Sequence, residues 1–210
     1  MTDSPIRVRP ASAGEIDAVA SLFRRAAADE PSTAWVLGTP DPTPEQFDEI
    51  FPREIMEDSL EREEIWVAET PEGLGGAALW FTVDSVGEVR DEADDMCETA
   101  EALGSPVLSR LAEMMLLTSA AMPEREPYLF LDLIAVDPAV RGRGLGTDLV
   151  ERRLAADPHL PAYLEASSDA AVRLYERLGF LADGDPVELP GGPLLHPMWL
   201  EGKPPVTTLG

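Results

Sequence analysis

The sequence predicts a layered α+β fold in which a mixed central β-sheet is flanked by helices. Apolar runs typical of buried strands alternate along the chain with segments of helical periodicity. One such strand, over 128–136, leads through a glycine-rich turn into a helix over 144–156. With 210 residues of which 44% are hydrophobic, the chain can bury one core. We expect a single domain over 1–201 and a flexible, proline-containing tail over 202–210.

The first predicted helix begins at a capping-box pattern formed by Ser12 and Glu15. Its apolar stripe consists of Ile16, Val19, Ala20, Phe23 and Ala27. A proline-rich connection over 31–44 follows. Thr43 offers the N-cap, and Pro44 the first position, of a second helix that extends to about residue 60.

The remaining elements follow from periodicity and turn residues. Two strands over 64–69 and 76–83 are joined by a turn over 70–73. The segment from about 86 to 122 is predicted to be helical, acidic in its first half and apolar in its second. The later elements are a strand over 162–166, a helix over 169–178 and closing strands near 180–189 and 194–200.

The glycine-rich turn, residues 141–146, reads Arg-Gly-Arg-Gly-Leu-Gly. Its glycines permit a tight turn and a close approach to a ligand, and a strand–turn–helix arrangement aims backbone N–H groups at an anion. A Walker A loop is excluded because Thr147-Asp148 stands where Lys-Ser/Thr is required. A Rossmann fingerprint also fails, because the sixth position counted from Gly142 is Thr147. The turn therefore predicts a different phosphate-binding loop.

This turn resembles the pyrophosphate loop of the GCN5-related N-acetyltransferases (GNAT family), which matches Arg/Gln-x-x-Gly-x-Gly. The resemblance continues in segments similar to the family's opening strand and helix, over 6–19, and to its fifth strand and next helix, over 163–180. More narrowly, 65–69, 79–82 and 194–199 look like the actinobacterial branch that includes puromycin N-acetyltransferase. The resemblance implies about seven strands, a splayed central strand pair and acetyl-CoA as co-substrate.

The resemblance also assigns site residues. It implies that the strand before the loop pairs with the pantetheine arm of acetyl-CoA and that the loop holds the pyrophosphate. The implied cofactor-binding residues are Ile134, Ala135, Val136, Arg141, Gly142, Arg143, Gly144, Leu145, Gly146, Thr147 and Ser168. The puromycin-type branch has an Asn at the position of Ala171, and this chain contains no Asn, so that contact is either lost or made by Ser168 or Asp169.

Tyr175 is the implied general acid that protonates the departing CoA thiolate. A phenol suits this role, because its ordinary pKa of about 10 keeps it protonated at neutral pH. On residue pattern alone, Tyr175 shares a helical stripe with Leu174 and Leu178, and a tyrosine on such a stripe is more often a packing residue.

Two acids compete for the role of general base, and the sequence leaves them equal. Asp132 interrupts an apolar strand, where a charge needs a partner or a function. Glu165 ends the next strand in a Leu-Glu-Ala-Ser setting similar to that of the puromycin-type enzymes. Ion pairs within the sheet, with Arg141 or Arg173, are the structural alternative for both.

The net charge of −24 argues against a nucleic-acid partner, since phosphate backbones need Lys and Arg. It favours a cationic acceptor, although the acidic run between Glu88 and Glu98 is also typical of a solvated helix face. No metal is expected, because the two histidines lack ligand partners at metal spacing. The lone Cys97 and the lack of a long apolar stretch predict a cytoplasmic protein without a membrane span.

The expected activity is transfer of an acetyl group from acetyl-CoA to a primary amine of a small molecule, by direct attack in a ternary complex. The alternatives are a protein N-terminal or lysine acetyltransferase and, in another class, a non-catalytic acyl-CoA-binding sensor. The oligomeric state is left open, with a homodimer as one alternative.

Overall fold

The computed structural model describes residues 6–26, 30–39, 41–62 and 64–204, and eight strands within them form one mixed sheet. The sheet order is β1-β2-β3-β4-β5-β8-β6, with β7 paired to β8. β4 and β5 are parallel, and the other pairs are antiparallel. The strands are β1 Arg7–Pro10, β2 Ile65–Thr70, β3 Gly73–Val83, β4 Tyr128–Val136, β5 Ala162–Ala166, β6 Leu181–Ala182, β7 Val187–Glu188 and β8 Leu194–Leu200.

Helices cover both faces of this sheet, as the α+β prediction requires. They are α1 Ile16–Ala26, α2 Pro31–Leu37, α3 Pro44–Ile50, α4 Arg53–Glu61, α5 Val86–Leu103, α6 Pro106–Ala121, α7 Leu145–Ala156 and α8 Asp169–Arg177. Short 3₁₀ turns precede α1 and follow β4. The predicted capping contacts are present, because the Ser12 backbone N–H donates to the Glu15 carboxylate and the Thr43 N–H donates to the Gln46 side chain.

The two faces can be told apart along β2 and β3, where neighbouring residues pack into different clusters. Val67 and Leu79 belong to the cluster that contains α1, whereas Ala68 and Trp80 belong to the cluster that contains α7 and α8. The alternation follows from the two-residue period of a strand. We call these the α1 face and the α7 face of the sheet.

Three of the predicted elements differ from the structure. The second predicted helix is broken into α3 and α4, because Pro52 removes a backbone donor and restricts the residue before it. The predicted connection over 31–44 contains α2, which Glu30 caps by accepting from the Ser32 and Thr33 backbone N–H groups. The helical segment from 86 is two helices, since Gly104 ends α5 in a left-handed conformation.

The ends of the chain and of the predicted elements show smaller differences. The strand near 180–189 is two short strands, β6 and β7. Ala27, placed on the first helical stripe, lies outside the described residues. So do residues 205–210 of the predicted tail, while the Lys203 N–H donates to the Pro158 carbonyl at 2.7 Å.

Candidate active site

The centre of the sheet opens where β4 and β5 part. The two strands pair at only three positions, the last of which joins Leu131 to Leu164. β4 then continues to Val136, five residues beyond the last pair, so its C-terminal half has a free edge on the β5 side. This is the splayed strand pair that the sequence resemblance implied.

A β-bulge in β4 lies at the same point. Leu79 of β3 faces Leu133, and the next residue, Trp80, faces Leu131, so that Asp132 is the extra residue. A bulge bends the strand and redirects side chains, and bulges are frequent beside functional sites. After the bulge, odd-numbered residues of β4 change from the α7 face to the α1 face of the sheet. Leu133 and Ala135 therefore lie on the α1 face, and Ile134 and Val136 lie on the α7 face.

The free edge of β4 presents backbone polar groups to the gap. The Asp137 N–H donates to the Gly75 carbonyl of β3 at 2.9 Å. Backbone groups of successive residues in a strand point to opposite edges, so those of Ile134 and Val136 point away from β3. A cleft of about 230 Å³ opens along this edge, lined by Ala26, Glu30, Ile134, Ala135, Val136 and Arg141.

The glycine-rich turn lies at the end of β4, at the N-terminus of α7. Gly142 and Gly144 have φ angles of 78° and 88°, a left-handed region that L-residues rarely adopt. Gly144 is the N-cap of α7 and provides no side chain to cap it. The first N–H groups of α7 therefore point outward with the positive end of the helix dipole, which is the arrangement that binds anions.

Two glycines of β3 allow α7 to lie this close to the sheet. A Cβ on Gly75 would come within 2.8 Å of Leu145 Cδ2, and one on Gly76 within 3.1 Å of Leu149 Cδ1. Both leucines are buried in the first turns of α7. Sequence analysis gave these glycines no role, although a glycine pair inside a predicted strand is a known signal of close approach.

Arg141 lies across the mouth of the cleft rather than over the turn. Its Nε donates to the Val136 carbonyl at 3.0 Å, and its Nη2 donates to the Ala26 carbonyl at 3.1 Å. These contacts join the end of α1 to the free edge of β4. Arg143, in contrast, is exposed on the turn itself.

The two competing acids are brought together at the point where the strands part. Asp132 and Glu165 each directly follow the last paired residues, Leu131 and Leu164. Burial raises the pKa of Glu165 to about 7, and the charge of Asp132 contributes to the increase. Asp132 is accessible to solvent, yet the surrounding protein limits its hydration and raises its pKa to about 6, with a further contribution from Glu30. The predicted ion pairs with Arg141 or Arg173 are not among the causes of either shift.

Glu30 is a cleft residue that sequence analysis missed. Its carboxylate accepts from the Thr33 N–H at 2.8 Å and from the Ser32 and Thr33 hydroxyls, which fixes it at the start of α2. Its negative charge raises the pKa of both Asp132 and Tyr175. The signal was present, because proline is frequent at the first position of a helix, as Pro31 is in α2.

Tyr175 is buried on the α7 face, in the last turn of α8. It is 5% exposed, and its ring meets that of Phe180 edge-on at 5.8 Å. Burial raises the pKa of its hydroxyl well above the ordinary value, and the charge of Glu30 acts in the same direction. The phenol therefore stays protonated at neutral pH, as a proton donor must.

Ser168 has a structural role in addition to the predicted one. It is the N-cap of α8, and its Oγ accepts from the Ala171 backbone N–H at 3.2 Å. Its hydroxyl hydrogen is still available to donate to another group.

Among the described residues, His, Cys, Asp and Glu side chains form no group of three or more that could hold a metal ion. Likewise, none of the helices described is both long and apolar enough to cross a membrane.

Comparisons with known proteins find several acetyltransferases among the similar ones. A family model described as an acetyltransferase (GNAT) domain matches residues 112–181, which include β4, the glycine-rich turn, β5 and α8. The mycothiol acetyltransferase of Mycobacterium avium is 47% identical over 60 residues, which cover 23% of this chain and 19% of that protein. A peptidyl-lysine N-acetyltransferase of Escherichia coli is 37% identical over 54 residues, 26% of this chain and 37% of the relative. The chain thus spans well under half of the curated relatives it matches.

Solved structures show the same fold. The polyamine N-acetyltransferase of Drosophila melanogaster superposes with a TM-score of 0.68. The superposition covers 94% of this chain and 100% of that one, with 21% sequence identity.

Proposed function

The chain belongs to the GNAT family of acetyltransferases, and on that premise we propose that it transfers an acetyl group from acetyl-CoA to a primary amine of a small molecule. One observation carries the proposal: the glycine-rich turn at the N-terminus of α7 and the acid pair Asp132–Glu165 lie at the two ends of the free edge of β4. An anion site, an unpaired strand edge and two candidate bases thereby follow one another along the same strand.

The cofactor's phosphates would be held by the turn over 141–146 and the first N–H groups of α7. A Cβ added to Gly142 or Gly144 would meet no atom within 4 Å, so the space beside the turn is open. The outward backbone groups of Ile134 and Val136 would pair with the amides of the pantetheine arm. The Val136 N–H would also donate to the thioester oxygen as negative charge develops on it.

The chemistry would then need three proton transfers. The ammonium form of the acceptor loses a proton to the acid pair, and its nitrogen attacks the thioester carbon directly. The carbon–sulfur bond breaks as the carbon–nitrogen bond is completed, and Tyr175 donates its proton to the departing thiolate. The second proton of the attacking nitrogen leaves as the amide forms and restores the Tyr175 hydroxyl through solvent. The buried Tyr175 suits this step, because its raised pKa keeps its hydroxyl protonated at neutral pH.

A small and cationic acceptor is supported by the negative charges around the free edge of β4. Three carboxylates, those of Glu30, Asp132 and Glu165, act electrostatically on the site. α2, which begins at Glu30, is joined to the turn after β7 by a 3.1 Å hydrogen bond from Trp35 Nε1 to the Pro190 carbonyl. The polyamine N-acetyltransferase with the same fold is named for acceptors of this charge.

The direct test is calorimetry with acetyl-CoA, followed by a screen of amines with thiol release as the readout. Binding in the millimolar range or tighter, with release dependent on one class of small amine, is the expected result. Binding without release for any amine would favour the acyl-CoA sensor instead. Release only with peptides would favour a lysine acetyltransferase, the activity named for the Escherichia coli relative.

Replacing Tyr175 with Phe should lower kcat by about 10²-fold, the lower end of the range for general acid–base catalysis. The ring that packs against Phe180 is retained and only the hydroxyl is lost, so acetyl-CoA affinity and melting temperature should change little. Steady-state kinetics, calorimetry and thermal unfolding give these three values. Unaltered turnover with rate-limiting chemistry would make Tyr175 a packing residue, and a large drop in melting temperature would mean that its hydroxyl stabilises the core.

Raising the salt concentration should lower kcat/KM for a cationic amine. The carboxylates around the free edge of β4 and the net charge of −24 attract a cation. Salt screens this attraction and limits its range to about 10 Å at 0.1 M. The measurement is kcat/KM between low and physiological ionic strength, with a zwitterionic amine of similar size as the control. Parallel profiles for the two amines would contradict electrostatic attraction.

A further inference from the structure

A group of buried polar atoms lies beside Glu165, on the α1 face of the sheet. Within the described part of the chain, Tyr128 Oη, Tyr163 Oη, Trp199 Nε1 and Glu165 Oε1 are buried without a hydrogen bond of normal geometry. Tyr128, Tyr163 and Trp199 belong to one apolar cluster. Buried polar atoms without partners are rare in proteins, so four of them in one place need an explanation.

The aromatic rings hold Tyr163 in one position. Tyr128 meets it edge-on with ring centroids 5.9 Å apart, and Phe130 lies at the same distance. Trp199 is its cross-strand partner on β8. Tyr163 is 0% exposed, so its ring has little freedom to turn away.

Tyr163 and Glu165 are two residues apart on β5 and therefore project from the same face. Their side chains interact: the hydroxyl of Tyr163 lowers the pKa of Glu165, against the larger effect of burial. The other charged or titratable groups that act on the pair are Asp132, Tyr128 and, from beyond β6, Asp183. His196 of β8 shares the opposite face with Met198, and Tyr175 of α8 also lies there.

We propose that Tyr163 is a positioning residue whose hydroxyl orients the Glu165 carboxylate and favours its ionised form, so that Glu165 rather than Asp132 is the base. This inference rests on the proposed acetyl transfer. Asp132 then has a different role. Its negative charge, directly across the gap, keeps Glu165 basic enough to take a proton from an ammonium group.

The chemistry of the two acids supports this division. A general base is most effective when its pKa lies near the working pH, and burial brings the pKa of Glu165 to about 7. Asp132 is more accessible, and neither cause of its shift is a donor that would orient it. Glu165 has a hydroxyl beside it that can act as such a donor, that of Tyr163, two residues earlier on the same face of β5.

The test is the pH profile of kcat/KM in Tyr163→Phe. Loss of the hydroxyl should raise the pKa of the base, so that the acidic limb moves to higher pH. A shift of one pH unit lowers kcat/KM by about tenfold at acidic pH and leaves the alkaline plateau within about twofold. A merely structural role would lower activity at every pH without moving the limb.

Tyr128→Phe is the matched control, because it deletes another buried hydroxyl from the same aromatic cluster. Its acidic limb should coincide with that of the unmodified protein. An unmoved limb in Tyr163→Phe, or an equal shift in both variants, would overturn the proposal.

A second readout does not depend on activity. The carboxyl carbons of ¹³C-labelled glutamates can be titrated by NMR, with the Glu165 signal identified by its absence in Glu165→Gln. Its midpoint should be higher in Tyr163→Phe than in the unmodified protein or in Tyr128→Phe. If no amine is acetylated, the proposed function fails, while this titration still decides whether Tyr163 acts on Glu165.

Discussion

Gly144→Glu should abolish acetyl-CoA binding. Gly144 has a φ of 88° and forms the N-cap of α7, so any side chain there strains the backbone. A carboxylate at this point would also occupy the position where the helix end attracts phosphate, and would repel it. Calorimetry should show no heat of binding at concentrations at which the unmodified protein is saturated.

Gly104→Glu controls for strain and charge. Gly104 ends α5 in a left-handed conformation with a φ of 64°, and a Cβ there would meet nothing within 4 Å. The same substitution is thus made at a similar backbone conformation outside the cleft. Acetyl-CoA affinity should be unchanged in this variant, and equal loss in both would mean that the substitution acts through stability rather than through the turn.

The turn could be predicted from the sequence because its requirements are local. Glycines are needed where φ is positive, and Gly142 and Gly144 have such angles in the structure. The strand before the turn and the helix after it were also confirmed, since both have strong periodicity over nine or more residues. The requirement for glycine at a positive φ can be predicted from the sequence without knowing which strand lies beside the turn.

The bulge at Asp132 could not be predicted, because it depends on the partner strand. Only the register with β3 shows that Leu131 and Leu133 face neighbouring residues, Trp80 and Leu79. The gap between β4 and β5 could not be predicted either, because it depends on where the two strands stop pairing and not on the sequence of either strand alone. The sequence identified Asp132 as unusual, but its position opposite Glu165 is a tertiary result.

Glu30 and α2 were missed for another reason. The segment over 31–44 is rich in proline, and several prolines favour a connection over a helix. Pro31 instead occupies the first turn of α2, where a missing backbone donor has no cost. A wall of the cleft, with a carboxylate that acts on Asp132 and Tyr175, was thereby hidden in a segment expected to lack structure.

Glu165→Gln should lower kcat/KM by about 10³-fold at neutral pH and remove the acidic limb of the profile. A general base contributes about 10²–10⁴ to the rate, and the amide keeps the shape of the side chain but cannot accept the proton. In the unmodified protein, activity should fall as the pH decreases below about 7, because the pKa of Glu165 is raised to about 7 and only its ionised form is a base. The measurement is kcat/KM from about pH 5 to about pH 9, roughly two pH units on either side of that pKa.

Asp132→Asn separates the two acids. Removing the charge of Asp132 should lower the pKa of Glu165, since that charge contributes to its increase, and the acidic limb should move to lower pH. Glu88→Gln, on the exposed face of α5, makes the same chemical change as Glu165→Gln outside the cleft and should leave the profile unaltered. If Asp132→Asn loses the limb while Glu165→Gln keeps it, Asp132 is the base and Glu165 is its charged neighbour.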